Sequence, residues 1–197
     1  AGYKLVQTRE GCVYHMTCRG SRFADGAKRN PDGQVFMKNR ETDEWLAQNE
    51  RSTRNFIRKW GQMVEHDEYL KPIITPKYDI GFIPKGKCNS LLLRALEPYC
   101  NNLYLNDKEL VKDYIKSEQP NTDFDLNNRL MSSNVDNDIL VTFDSELINQ
   151  QNFHYLTQLP KIIQDSGVVG EFTLDIFDIK INKIKSYEKE LIKCDSN

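Results

Sequence analysis

The chain has 197 residues, 28% of them charged and 39% hydrophobic, with a net charge of −2 at pH 7. That is a globular composition for one or two small domains. No window approaches the roughly 18 consecutive apolar residues that a membrane-spanning helix needs, and Ala1-Gly2-Tyr3-Lys4 lacks the apolar run of a secretory signal, so neither membrane insertion nor export is expected. Five cysteines at irregular spacings read as reduced thiols, which predicts a reducing, cytoplasmic compartment, the host cytoplasm for a viral chain. The charge is uneven. Residues 1–62 carry twelve Lys/Arg against seven Asp/Glu, and residues 63–197 carry fifteen against twenty-two, that is +5 and −7. The basic part suits anions, but without a stacking or groove-reading motif it does not predict nucleic acid as a partner.

In chain order, the strand pattern Tyr3 to Thr8, the turn at Glu10-Gly11 and the strand Cys12 to Cys18 predict a hairpin. Residues 21–40 hold Gly26 and Asn30-Pro31-Asp32-Gly33 around a short apolar run, Val35-Phe36-Met37, and read as a loop with one tight turn. Thr42 as N-cap, with Asp43 and Glu44 in the first turn, starts a helix that runs to Trp60 and stops at Gly61. Its apolar stripe is Trp45, Leu46, Thr53, Phe56, Ile57 and Trp60, the side expected to face a core. Arg51, Arg54 and Arg58 form a second stripe, read as a solvated face; the alternative is that it meets an acidic surface, either the second part of the chain or a partner.

Lys71-Pro72 and Thr75-Pro76 make residues 63–78 an extended, proline-containing connector. Beyond it the pattern alternates: strand Ile80–Ile83, helix Ser90–Glu97, strand Leu103–Leu105, helix Lys108–Ser117, a polar loop, strand Ile139–Phe143, and helix Asn149–Asp165 with a break at Pro160. A long strand, Val168–Ile181, follows, with a bulge or bend where the apolar phase shifts between Ile176 and Phe177, and then a helix Tyr187–Lys193. Such alternation predicts an open sheet with helices packed on it. In such sheets ligands sit at the C-terminal ends of the strands, here near residues 84–89 or Asp144–Ser145.

Cys12, His15 and Cys18 have metal-ligand chemistry but the wrong geometry for a shared site. On a strand Cys12 and Cys18 lie about 20 Å apart on one face while His15 faces the other way. Cys88, Cys100 and Cys194 read as buried small apolar residues. Asp123-Phe-Asp125 and Asp136-Asn-Asp138 match an Asp-x-Asp metal motif in letters only, and the glycines of Gly81-Phe-Ile-Pro-Lys-Gly86-Lys87 do not have phosphate-loop spacing.

The succession Gly2-Tyr-Lys-Leu-Val-Gln-Thr8, Cys12-Val-Tyr-His15, Thr17-Cys-Arg-Gly-Ser-Arg22-Phe23 and Arg54-Asn-Phe-Ile-Arg-Lys-Trp-Gly61 resembles the C-terminal end of the catalytic domain in family-2, inverting, nucleotide-sugar glycosyltransferases of the GT-A type. There a strand carrying "VYH" precedes a variable loop and a helix closing on "F-x-x-K-W-G". The resemblance implies a metal-side role for His15, beside the divalent cation (manganese or magnesium) that bridges the donor diphosphate. It places Arg19, Ser21 and Arg22 next to the diphosphate or acceptor, and makes Lys59 and Trp60 a helix end that packs on the core. In the family, the nucleotide-binding half with its Asp-x-Asp motif and the general base precede the segment matched here.

These readings predict an α/β chain in three parts: residues 1–62 as the C-terminal end of a GT-A-like catalytic domain, residues 63–78 as connector, and residues 79–197 as an accessory α/β domain. The expected function is that of the C-terminal part of a glycosyltransferase, inactive without a nucleotide-binding half. The expected partners are that half or another protein chain, with nucleotide sugar and acceptor in the complete enzyme. The alternative is a non-enzymatic structural or interaction protein, including a viral one.

Overall fold

The computed structural model describes residues 28–29, 35–36, 43–133 and 135–185. The predicted hairpin 3–18, with His15, Arg19, Ser21 and Arg22, and the predicted helix Tyr187–Lys193 lie outside them. The chain divides into two compact units within a helix, between Ser52 and Thr53. In the first unit, β1 (Lys28–Arg29) and β2 (Val35–Phe36) pair antiparallel and flank the segment where a tight turn is expected. Helix α1 (Asp43–Trp60) has Asp43 and Glu44 in its first turn, as the sequence predicts. It ends at Gly61, whose φ of 84° lies in the left-handed region that suits glycine.

The second unit is mixed α/β. After α1 come a two-stranded hairpin of β3 (Glu65–His66) and β4 (Pro72–Ile73), then β5 (Ile80–Lys85), α2 (Ser90–Leu96), a 3₁₀ turn at Glu97–Tyr99, and β6 (Asn102–Tyr104). Next are α3 (Lys108–Glu118), α4 (Leu126–Arg129), β7 (Leu130–Met131), β8 (Ile139–Asp144), α5 (Gln150–Thr157), α6 (Leu159–Ser166), β9 (Gly170–Leu174) and β10 (Phe177–Ile181). One six-stranded sheet has the order β7-β6-β5-β8-β10-β9; its first four strands are parallel and the last two antiparallel. The residue pairs Ile80 and Ile139, Phe82 and Val141, Val141 and Ile179, and Ile139 and Ile181 share one face. They join Leu93 and Leu96 of α2, Tyr114 of α3, Leu126 of α4, Leu156 of α5 and Leu159 and Ile163 of α6 in a single core. On the opposite face, Leu140 and Thr142 are half-buried and Asp178 and Lys180 exposed.

Two expectations change. The strand expected over 168–181 is a hairpin, and its phase shift is the turn itself. A two-residue loop sets Leu174 opposite Phe177 on one face, so inward positions pass from even to odd numbers, and Asp175 takes the φ of 54° that such a turn needs. The polar loop contains α4 and β7, anchored by buried Leu126 and Leu130. The break expected at Pro160 in helix 149–165 is present: α5 and α6 are separate helices, with Pro160 in the first turn of α6 and Asn149 capping α5 reciprocally with Asn152.

The stripes of α1 are also reversed in part. Trp60 is 39% exposed, with the Lys59 ammonium 5.1 Å from its ring, whereas Arg58 is 1% exposed and Arg54 9%. Arg58 donates through Nε and Nη2 to Glu97 Oε2 at 2.9 and 2.6 Å and through Nη2 to Glu118 Oε1 at 3.0 Å. Arg54 makes a two-pronged pair with Glu118, both bonds 2.7 Å. Arg129 Nε donates to the other Glu97 oxygen at 2.6 Å, and the Tyr114 hydroxyl donates to Glu97 Oε2 at 3.0 Å. Carboxylates matched by guanidinium forks make this burial tolerable, so Arg54 and Arg58 follow the docking alternative, whereas Arg51 stays half-buried and bonds Gln48 on its own helix.

Candidate functional site

The parallel strands end together at Lys85, Tyr104, Met131 and Asp144. From β5 the chain moves one way along the sheet to β6 and β7, then returns to β8 on the other side of β5. The C-terminal ends of β5 and β8 therefore form a topological switch point, the usual ligand position in open α/β sheets. Two turns meet there. The Ser145 hydroxyl donates to Lys85 O at 2.6 Å and lies 2.9 Å from Lys87 O, tying the turn after β8 to the turn after β5. Gly86 has a φ of 78°, and a Cβ on it would lie 3.1 Å from Asp144 Oδ1. Asp144 Oδ1 accepts from Glu146 N at 2.9 Å, and Asn89 Oδ1 accepts from Leu92 N at 2.8 Å as the cap of α2. Lys85, Lys87, Asp144 and Glu146 are exposed, so the rim carries balanced charge. Cys88 is half-buried beside it; burial and the charge of Asp107 push its thiol up to about 11, which keeps it protonated and non-nucleophilic near neutral pH.

Further along the same rim, a cavity of about 300 Å³ opens between α3 and the outer side of β7. Its floor is Leu105, Val111, Ile115, Leu130 and Met131, and Lys108 and Lys112 stand at the mouth. Such a lining accommodates an apolar body bearing an anionic group. The fold analogy points to residues 84–89 and Asp144–Ser145, and this groove lies outside both. The signal for it was present: Lys108, Val111, Lys112 and Ile115 recur at helical spacing on α3.

The other acidic motifs have local duties. Asp125 caps α4 by accepting from Asn127 N at 2.9 Å, Asp138 pairs with Lys183 at 3.4 Å, and Asp178 accepts from the Thr173 hydroxyl at 2.9 Å. Among the described residues no group of three or more His, Cys, Asp or Glu side chains could hold a metal ion, and no helix is long and apolar enough to cross a membrane. Cys100 is buried, and burial drives its thiol far above the ordinary range. No family model, curated protein or solved structure matches the chain.

Proposed function

We propose that the chain is the C-terminal portion of a family-2-like glycosyltransferase, in which the α/β unit is an accessory domain that takes in the last turns of the catalytic domain's closing helix. The observation that carries the reading is the position of Arg54 and Arg58. Both lie in the stretch Arg54–Gly61 that resembles the family's closing helix, and both are buried against Glu97 and Glu118 inside the α/β unit, to which this end of the helix belongs. In the complete enzyme His15 would lie at the donor's divalent cation, and Arg19, Ser21 and Arg22 beside the diphosphate or acceptor. A neutral imidazole is a good ligand, and guanidinium groups fork onto phosphate oxygens. The reaction would move a sugar from a nucleotide donor to an acceptor hydroxyl.

Two measurements test this. Calorimetry of the 197-residue chain with manganese and uridine or guanosine diphosphate sugars is expected to show no micromolar binding; tight metal-dependent binding abolished by His15→Ala would contradict it. The reading frame ahead of Ala1 is expected to encode a nucleotide-binding half with Asp-x-Asp, and an initiator Met there instead would favour a non-enzymatic interaction protein. One observation favours that second reading: the β3–β4 hairpin presents Tyr69 and Leu70 to solvent at 74% and 76% exposure, as an interaction surface would.

A further inference from the structure

The two edges of the sheet differ. β7 is two residues long, which blunts it as a pairing template, whereas β9 offers five residues with neither proline nor lysine from Val168 to Leu174. On β9, Phe172 is 36% exposed, and Glu171 and Thr173 point to the opposite face from it; Val168, two residues ahead of the strand, is 64% exposed. The pairing with β10 fixes which backbone groups are spoken for. Across a two-residue loop Leu174 and Phe177 exchange both backbone bonds, and so, two residues on, do Phe172 and Ile179. The N–H and C=O groups of Glu171 and Thr173 therefore point outward from the sheet.

We propose that β9 pairs antiparallel with β9 of a second copy of this chain, joining two six-stranded sheets about a two-fold axis at Phe172. Charge selects that register. With Phe172 opposite its symmetry mate, Glu171 faces Thr173 of the other copy, and the outward groups of both residues are paired. Sliding the strands two residues one way sets Glu171 against Glu171, and two residues the other way sets it against Asp175. Like charges directly opposite are destabilising, so both slipped registers are disfavoured. In the selected register one face aligns Phe172 with Phe172, Gly170 with Leu174 and Val168 with Ile176. On the other face Glu171 keeps its own partner, Lys180, at 2.7 Å. The interface is isologous, with the same strand serving both copies.

Disulfide trapping in the full chain tests the register. Phe172 and its mate form a pair without mutual backbone bonds, with Cα atoms about 4.5 Å apart, within reach of a disulfide; the two Thr173 residues are offset beyond about 7 Å and are not. Mild oxidation of Phe172→Cys is expected to yield a dimer joined through Cys at position 172, at least about tenfold more than Thr173→Cys or the unmodified chain. Sedimentation of the wild type is expected to show reversible dimerisation below about 100 µM. Thr173→Pro removes an outward N–H that β10 does not use, and is expected to give a monomer with an unchanged far-ultraviolet spectrum. A wild-type monomer throughout that range overturns the proposal, as does a dimer that survives Thr173→Pro or one that fails to trap at position 172.

Discussion

Leu70 shows how a single residue can be held against its own preference. Its φ is 61°, in the region where a side chain crowds the following carbonyl, at a cost of about 1–2 kcal/mol. Asp67 enforces it: Oδ1 accepts from Tyr69 N at 2.9 Å and Lys71 N at 2.8 Å, and the Asp67 carbonyl accepts from Leu70 N at 3.0 Å. Because Leu70 is exposed, Leu70→Gly loses no burial and gives up only about 0.5–1 kcal/mol of chain entropy. The variant is therefore expected to gain up to about 1.5 kcal/mol, read as a higher urea midpoint at unchanged slope. Gly81 behaves in the opposite way. A Cβ there would collide with Asn137 Oδ1 and come within 2.9 Å of Tyr104 Cε2. Asn137 holds that place by donating to Asp79 at 2.6 Å and Asn102 at 2.8 Å and accepting from the Tyr104 hydroxyl at 2.6 Å. Gly81→Ala is expected to cost about 1–3 kcal/mol in the same melts.

At the scale of elements, α1 was legible in extent but only in part in orientation, since Ile57 of the expected stripe is buried while Trp60 is not. Its capping acids, its length and the stop at Gly61 are local signals, and local signals set helix ends. Which stripe turns inward depends on Glu97 and Glu118, 39 and 60 residues from Arg58, and spacing along one helix carries no information about them. Nor is α4 followed by β7 long enough to declare a period, since Leu126 and Leu130 are isolated apolar residues in a polar stretch. Two substitutions separate the two orientations of α1. Arg58→Met leaves Glu97 and Glu118 short of a buried partner and is expected to cost about 3–5 kcal/mol. Trp60→Ala removes a ring already 39% exposed and is expected to cost less than Arg58→Met in the same urea melts. The reverse ranking would mean that the apolar stripe is the packed one.

Across the whole molecule, alternation of strands and helices made the open sheet legible, while strand order, the mixed directions and the cluster of opposite charges inside the unit come from long-range pairing. That cluster gives the protein a characteristic response to acid. Burial alone would raise the carboxyl of Glu118, but its hydrogen bonds with Arg54 and Arg58 and the charges of both arginines hold it below the ordinary glutamate value of 4.5. As pH falls the unfolded chain therefore takes up this proton first. The stabilisation from Glu118 is complete above about 4.5 and is lost as pH drops through the lower native value. Arg58 does not release its own proton instead, because burial disfavours its charge but Glu97, Tyr114 and Glu118 together more than offset that effect. Glu118→Gln has no proton to gain at this position. Its stability deficit against the wild type is expected to be largest near neutral pH and to shrink steadily below about 4.5, until the two proteins converge. Urea melts of both proteins in steps from neutral pH into the acid range would show this; curves that stay parallel would mean that Glu118 does not sense its arginines.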